Sequence, residues 1–305
     1  MRKPPPLRAG DRVALVAPAG PVAAAALDRA VARVRAWGFR PEIGRHVHAQ
    51  RGFLAGADAV RRADLAWALG DPTIRAVLPL RGGYGTARLL PELELEAFSR
   101  DPKILVGFSD LTALHLALDR LGVVTFHGPM PAVGEWTAYD TDLFRRVLTD
   151  PAPLASYPWP PEREPLVLNP GAAVGRVVGG NLSVVVSSLG TPWEIQTRGR
   201  LLLLEEIGES PYRLDRYLNQ LRQAGKLTDL RGVLLGDFAG LPPAEAAAAL
   251  EVCREYFMPL GCPVLADLPL GHGPYRATLP LGTQVRLDAD RGLLSLEEGA
   301  LAASI

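Results

Sequence analysis

Short aliphatic runs that alternate with helical segments limit the fold of this chain more than any other feature. In residues 12–20, "RVALVAPAG", a buried strand runs into a Pro/Gly loop, and the next segment puts Leu27, Val31 and Val34 on one helical face before Gly38. The runs "IRAVLPLRGGYG" and "PKILVGF" repeat the strand-to-loop pattern, and continuous aliphatics suit strands covered on both faces. The alternation predicts an α/β fold with a parallel sheet wrapped by helices.

A proline-rich stretch divides the chain into two predicted domains. The 305 residues exceed the usual size of one domain. Residues 153–170 carry many prolines and little periodicity, so they are the expected linker between domains 1–152 and 171–305. After the linker, "GRLLLLEE" and "RGVLLGDF" read as strands on either side of a helix, and a hairpin turns at Gly292. We expect a second, smaller α/β domain there.

Charge and hydropathy exclude several classes of function. Lys+Arg and Asp+Glu number 33 each, so no net field favours nucleic acid. No apolar stretch approaches the roughly 20 residues that span a bilayer, and prolines interrupt the amino terminus where a signal peptide would be apolar. The sequence therefore predicts a cytoplasmic protein. Cys253 and Cys262 fit neither a disulfide framework nor a zinc site, so no metal is expected.

Ser109 is the first candidate for chemistry. In "ILVGFSDLTALHL" an aliphatic strand meets Gly107-x-Ser109, the start of a nucleophile elbow, and a helix follows that ends at Gly122. The elbow is incomplete because Leu111 replaces its second glycine. Taken alone, this stretch favours a helix whose amino terminus is capped by Ser109 or Asp110 over a catalytic turn.

The glycine loop "RGGYG", residues 81–85, follows another predicted strand. Arg88 stands where a dinucleotide-binding pattern needs its third glycine, so a Rossmann cofactor is not expected. Glycines would let backbone N–H groups approach a reacting oxygen, as in an oxyanion hole, although a simple tight turn explains them equally well. Arg81 is a candidate partner for a substrate carboxylate, or else a structural ion pair at a strand end.

A nucleophilic serine needs a histidine and a carboxylate. His272 lies between two glycines in "GHGPYRATLPLG", outside any amphipathic helix, and His127 remains a second candidate. Glu205 and Glu206 end the aliphatic run "LLLLEE". Because side chains alternate along a strand, we expect only one of these two glutamates to face the site.

Together these segments resemble the LD-carboxypeptidase family of serine peptidases, which includes muramoyltetrapeptide carboxypeptidases and microcin C self-immunity peptidases. The resemblance covers nearly the whole chain. It rests on "VALVAPAG", "RGGYG", "GFSDLTALH", "HGPM", "GGNLSVVVSSLGTPWE", "LLLLEEIGESPYRLDRYLNQL" and "GHGPYRATLPLG". It implies a Rossmann-like amino-terminal domain with the serine and a smaller carboxy-terminal domain with the glutamate and histidine, so that the site spans the domain interface.

The resemblance also assigns roles. It implies a triad of Ser109, His272 and Glu205, with the backbone N–H groups of Gly83 and Asp110 as oxyanion donors and no metal or cofactor. It implies release of a carboxy-terminal D-alanine from an L,D-peptide bond of a murein tetrapeptide, in peptidoglycan recycling, by a cytoplasmic homodimer. The alternatives are a microcin C-type peptidyl-nucleotide amide hydrolase and a non-catalytic peptide- or small-molecule-binding protein on the same fold.

Overall fold

The computed structural model describes residues 1–303. Within them the strands are, in chain order, β1 (Arg12–Val16), β2 (Arg40–Ile43), β3 (Ile74–Pro79), β4 (Ile104–Gly107), β5 (Thr125–His127), β6 (Leu166–Asn169), β7 (Ala172–Asn181), β8 (Leu201–Ile207), β9 (Gly232–Ala239), β10 (Val264–Ala266), β11 (Leu279–Leu281), β12 (Gln284–Asp288) and β13 (Leu293–Leu296). The α-helices are α1 (Ala24–Ala36), α2 (Asp58–Gly70), α3 (Leu95–Arg100), α4 (Thr112–Arg120), α5 (Ala138–Thr149), α6 (Leu182–Ser187), α7 (Pro211–Gln223) and α8 (Pro243–Phe257). These elements form two compact units, each with its own sheet.

The first unit contains Met1–Pro151, Thr278–Pro280 and the described residues from Ala300 onward. Its sheet has the order β11-β5-β4-β3-β1-β2, and the pairs from β5 to β2 are parallel. All four residues of β4 are buried, as the aliphatic run predicted. Gly38 and Gly122 follow α1 and α4 with φ of 88° and 72°, which are left-handed values that glycine adopts without strain.

The strand order of the first unit determines where its loops meet. In the sheet, β1 and β3 are neighbours, β2 lies beyond β1, and β4 lies beyond β3. The chain therefore crosses over in one direction after β1 and in the opposite direction after β3, and the carboxyl ends of these two strands lie on either side of the point where the direction changes. Ligands of doubly wound sheets bind at such a point. Two loops lie there, residues 17–20 after β1 and residues 80–86 after β3, and the Gly20 amide donates to the Gly82 carbonyl at 3.1 Å.

The second unit contains Ala152–Ala277 and Leu281–Gly299. Its sheet has the order β13-β12-β7-β8-β9-β10-β6, with parallel pairs from β7 to β10 and antiparallel pairs outside them. Leu201–Leu204 of β8 are fully buried, and burying each leucine contributes about 2 kcal/mol to stability. β12 and β13 form the predicted hairpin, and Gly292 lies in its turn with φ of 63°.

The predicted linker, residues 153–170, differs from the expectation. Its last part forms β6, an edge strand of the second sheet that pairs with β10. Earlier in the stretch, the Tyr157 amide donates to Leu294 O at 2.7 Å, and the Leu296 amide donates to Leu154 O at 2.8 Å. Prolines stop helices but are tolerated beside edge strands, so proline content alone did not separate a linker from an extended, hydrogen-bonded segment.

The α/β fold with two sheets is confirmed. Within residues 1–303, no helix has both the length and the hydropathy that a membrane span requires.

Candidate active site

Ser109 lies on a strained turn. Phe108 leaves β4 in an extended conformation, and Ser109 then takes φ of 63°, a left-handed value that costs a side-chain-bearing residue about 1 kcal/mol or more. Ser109–Leu111 form a 3₁₀ turn that leads directly into α4. A left-handed serine between a strand and a helix is the geometry of a nucleophile elbow.

The packing around the turn explains why an elbow with only one glycine works. A Cβ added to Gly107 would lie 3.0 Å from the Cβ of Leu111, so the larger residue after the serine requires glycine before it. Phe108, Leu111 and Met130 form a buried cluster beneath the turn. Leu111 therefore anchors the elbow in the core at the position where glycine is usual.

His115 secures the elbow from inside. Its Nε2 lies 2.9 Å from the Gly107 carbonyl and its Nδ1 lies 2.9 Å from Thr125 Oγ1. A carbonyl can only accept, so Nε2 carries the proton and Nδ1 accepts from the threonine hydroxyl. Burial lowers the pKa of His115 to about 4. This histidine is neutral near pH 7 and links the end of β4 to α4 and β5.

The glycine loop after β3 lies against the serine. A Cβ on Gly82 would come within 2.9 Å of Ser109 Oγ and 3.5 Å of the Asp110 amide nitrogen. Gly83 has φ of 117°, and its amide donates no hydrogen bond to any residue in 1–303. The Asp110 amide lies in the first turn of a helix, where N–H groups have no intrahelical acceptor. The structure thus places Gly82, the neighbour of Gly83, against Ser109, and Asp110 directly follows the serine.

The carboxylate of Asp110 has a separate role that sequence reasoning missed. It is 3% exposed and accepts a hydrogen bond from the amide of Thr86 at 2.8 Å. Thr86 closes the glycine loop, so this bond joins the loop to the elbow. The "SD" pair therefore combines a strained serine with the acid that holds the loop facing it.

Arg61 is a second feature that sequence reasoning missed. This residue of α2 is 1% exposed, and its Nη1 donates to the carbonyls of Pro18 and, at 3.0 Å, Gly85. Its Nη2 donates to Asp58, whose carboxylate is also bound by Arg88. Arg61 thereby connects the loops after β1 and β3. No sequence motif marks it, because the carbonyls it binds are recognisable only in the folded chain.

Arg81 lies on the surface beside the same loops. Its Nη1 donates to the Pro21 carbonyl at 3.3 Å, and its Nε lies 3.4 Å from the position of a Cβ on Gly20. No acidic side chain among residues 1–303 forms an ion pair with it. The structural ion pair considered for Arg81 is therefore not observed there.

In the second unit, His272 is hydrogen-bonded to Glu205. His272 Nδ1 lies 2.7 Å from Glu205 Oε2, across 67 positions of sequence. An ionised carboxylate only accepts, so Nδ1 carries the proton and Nε2 is the nitrogen able to take one. Glu205 is fully buried at the end of β8, and this burial raises the pKa of its carboxyl while the His272 hydrogen bond opposes the rise. A Cβ on Gly271, whose φ is 118°, would come within 2.5 Å of Glu205 Oε2, so only glycine fits beside the histidine.

Glu206 binds a different set of partners. Its Oε1 accepts from Asn181 Nδ2 and its Oε2 from the Ser183 amide, both at 2.8 Å. The register between β8 and β9 shifts between Leu204 and Glu206, and the two glutamates turn to different partners there. Glu206 therefore binds two residues of the motif "GGNLS" and fixes the amino terminus of α6.

Asp237 of β9 supports the loop that carries His272. Its carboxylate accepts from the Gly273 amide at 2.9 Å and pairs with Arg163 at 2.7 Å. Burial raises the pKa of Asp237, and the charge of Arg163 opposes the rise. The Asp237 amide donates to Leu270 O at 2.8 Å, so the histidine loop is fastened on both sides of His272.

His127, the second histidine considered, lies within a strand and not in a loop. His127 is buried in β5, and its ring lies 6.0 Å from that of Phe108. Within residues 1–303, no cluster of three or more His, Cys, Asp and Glu side chains is suited to hold a metal ion.

Comparison with known proteins identifies relatives along both units. Residues 13–128 match the LD-carboxypeptidase N-terminal domain and residues 174–287 match the LD-carboxypeptidase C-terminal domain. A probable murein peptide carboxypeptidase of Bacillus subtilis is 38% identical over 97% of this chain and 95% of its own length. The murein tetrapeptide carboxypeptidase of Pseudomonas aeruginosa is 34% identical over 92% of this chain and 94% of its own. A solved muramoyltetrapeptide carboxypeptidase from Oxalobacter formigenes superposes with a TM-score of 0.81 at 29% identity, covering 96% of this chain and all of that one.

Proposed function

Because the chain belongs to the LD-carboxypeptidase family, we propose that it is a serine carboxypeptidase that releases a carboxy-terminal D-alanine from the L,D-peptide bond of a murein tetrapeptide. The observation that carries this proposal is Ser109, left-handed at the head of a helix, with the glycine loop against its Oγ. The Glu205–His272 hydrogen bond supplies the matching base. Two of the relatives carry names of the same activity, which supports the substrate class.

The proposed reaction uses Ser109, His272 and Glu205 as a triad. His272 Nε2 takes the proton of Ser109 Oγ as the oxygen attacks the carbonyl carbon of the scissile bond. The same proton passes from His272 to the leaving amine of D-alanine, and the C–N bond breaks. Water, deprotonated by His272, then cleaves the acyl-enzyme and restores the serine. Glu205 keeps Nδ1 protonated and stabilises the imidazolium that forms in each step.

The amides of Gly83 and Asp110 are the proposed oxyanion donors. Asp110 directly follows the serine, and Gly83 follows Gly82, which lies against Ser109 Oγ; neither amide has an acceptor within residues 1–303. The amino terminus of a helix adds a positive potential there. Removing one such donor typically costs about 10²- to 10³-fold in kcat.

Arg81 is the proposed partner of the substrate's terminal carboxylate. An exopeptidase must compensate for taking that charge out of water, and an arginine can do so with two parallel hydrogen bonds. Arg81 borders the loop that faces Ser109 and makes one long hydrogen bond, to Pro21. We propose further that the enzyme acts in the cytoplasm as a homodimer, which cell fractionation and size-exclusion chromatography would test.

The test is release of D-alanine from L-Ala-γ-D-Glu-diamino acid-D-Ala by the purified protein. We expect Ser109→Ala to lower kcat by at least about 10³-fold, since a missing nucleophile leaves only binding and the oxyanion hole. Ser187→Ala, which removes a hydroxyl on the exposed side of α6, is the matched control and should keep full activity. Undiminished release by Ser109→Ala would overturn the mechanism.

The same assay separates the two rival functions. A peptidyl-nucleotide added to the substrate panel and hydrolysed faster than the tetrapeptide would favour the microcin C-type amide hydrolase. A protein that binds the tetrapeptide with equal affinity before and after Ser109→Ala, and releases no D-alanine in either form, would be the non-catalytic binding protein.

A further inference from the structure

Three arginines line one cavity at the amino-terminal edge of the second sheet. The cavity measures about 350 Å³, and its polar lining comes from Arg176, Arg200, Arg231 and Gln284. Gly175 and Gly199 line it as well; a Cβ on Gly199 would meet no atom within 4 Å, whereas one on Gly175 would lie 3.4 Å from Arg231 Cβ. No residue proposed above for catalysis or substrate binding belongs to this cavity.

Strand register explains how the three arginines meet. Val177 of β7 pairs with Leu201 of β8, which pairs with Gly232 of β9, and each arginine is the residue directly before one of these three. Their Cα atoms therefore lie at one level of the sheet, about 5 Å apart from strand to strand. The Arg231 amide also donates to the Arg200 carbonyl at 2.8 Å, and Gln284 pairs with Arg176 from β12.

Two of the three arginines in this cluster, Arg176 and Arg231, have no acidic partner among the described residues. The guanidinium groups of Arg176 and Arg231 make no ion pair with residues in 1–303, and the Nε of Arg176 is buried there without a hydrogen-bond partner. Asp229, which precedes Arg231 by two residues, pairs instead with Arg198 at 3.4 Å. Unpaired like charges on one side of a sheet repel one another, so Arg176 and Arg231 raise the free energy of the folded unit unless an anion binds them.

We propose that this cavity is a binding site for a phosphate group carried by a small molecule or present as inorganic phosphate. Guanidinium groups match phosphate oxygens with paired hydrogen bonds, and several arginines around one centre suit a dianion better than a single carboxylate. The Gln284 amide adds a neutral donor at the same level. The volume exceeds that of one phosphate ion, which leaves space for the group that bears it.

The site is separate from the proposed active residues of the same unit. Arg200 precedes β8 and Glu205 lies near its other end, so five residues of extended chain, about 16 Å, divide the two. Bound phosphate acts first on the second unit's stability, because it neutralises the unpaired charges of Arg176 and Arg231.

The experiment measures binding of inorganic phosphate, glycerol 3-phosphate and succinate to the full chain by calorimetry at constant ionic strength. We expect saturable binding of a phosphate compound, weakened about tenfold in Arg176→Gln and in Arg231→Gln, since each loses a charged hydrogen bond. Arg198→Gln removes the same charge two residues from Arg200, outside the cavity, and should bind like the wild type. Tighter binding of glycerol 3-phosphate than of phosphate would identify an organic phosphate as the ligand, and the reverse would identify the free ion.

A thermal melt supplies the second readout. Without phosphate, Arg176→Gln and Arg231→Gln should melt at the wild-type temperature or above it, because each relieves repulsion; with phosphate, only the wild type and Arg198→Gln should gain stability. Succinate binding as tight as phosphate, equal phosphate affinity in all four proteins, or no saturable binding by the wild type would each overturn the proposal.

Discussion

At the scale of single residues, two adjacent glutamates at the end of β8 accept hydrogen bonds from different partners. Glu205 accepts from His272, and Glu206 accepts from Asn181 and Ser183. Both are buried, so neither is a solvated charge at a strand end. Their partners separate the proposed role of Glu205 in proton transfer from the role of Glu206 in holding α6.

Exchanging each glutamate for glutamine tests this division. Glu205→Gln should lower kcat by about 10³-fold or more with little loss of stability, because an amide does not fix the His272 tautomer or stabilise its cation. Glu206→Gln should instead lower the free energy of unfolding by about 1–3 kcal/mol, since an amide cannot accept from all of its present donors. Tetrapeptide kinetics and urea unfolding of both variants measure the two effects. Equal activities of the folded variants would mean that the wrong acid was assigned to the triad.

At the scale of elements, three different parts of the chain surround Ser109. The turn after β4 carries the serine, the loop after β3 lies against its Oγ, and Arg61 of α2 ties that loop to the one after β1. We regard Arg61 as a positioning residue, since its contacts are with backbone carbonyls of these loops and with Asp58. A shift of the glycine loop would misplace the proposed N–H donor, which must lie about 2.7–3.1 Å from the developing oxyanion.

Substitution of Arg61 therefore affects turnover more than binding. Arg61→Leu leaves the carbonyls of Pro18 and Gly85 without their donor, and we expect kcat to fall about tenfold or more while KM changes little. Arg61→Lys should recover part of the loss because an ammonium group can still donate to both carbonyls. Arg62→Leu, at the half-buried neighbouring position that pairs with Glu92, is the control. An equal loss in the Arg61 and Arg62 variants, or a change confined to KM, would contradict the positioning role.

At the scale of the whole molecule, chain order and folded units do not coincide. The chain passes from the first unit into the second and returns to the first at Thr278–Pro280 and again from Ala300. A Cβ on Gly128 would come within 2.9 Å of Thr278 Oγ1, so the returning segment packs closely on the end of β5. The first unit thus depends on residues that a single division after Pro151 would remove.

The acid stability of the molecule should reflect His115. Its pKa is about 4 in the folded chain against an ordinary value of 6.5, so between these pH values the unfolded state binds a proton that the folded state does not. Titration of His115 therefore leaves the free energy of unfolding unchanged above pH 6.5 and lowers it by about 3 kcal/mol in total as the pH falls toward 4. Urea unfolding between pH 7.5 and 4 measures the slope, which should be shallower in His115→Gln. Identical slopes for the two proteins would show that His115 does not control this loss.

Sequence reasoning located most of the elements because local patterns carry that information. The aliphatic runs predicted the buried strands, and Gly38 and Gly122 marked where helices end. The proline content led to the assignment of residues 153–170 as a linker, because prolines indicate only that a segment is not helical. The edge strand within that stretch is stabilised by β10, about 95 residues further along the chain, and no local pattern reports such a partner.

For the candidate site, the sequence by itself determined which residue types were available and, through the family resemblance, which of them to consider: Ser109, Gly83, Asp110, Glu205 and His272. Only the tertiary structure decided how they are held. It gave Ser109 its left-handed turn, bonded Glu205 rather than Glu206 to His272, and buried Arg61 among carbonyls. The row of arginines likewise exists only through the register of β7, β8 and β9. Side-chain chemistry is local to a residue, whereas hydrogen-bond partners and unbalanced charge depend on which distant segments the fold brings together.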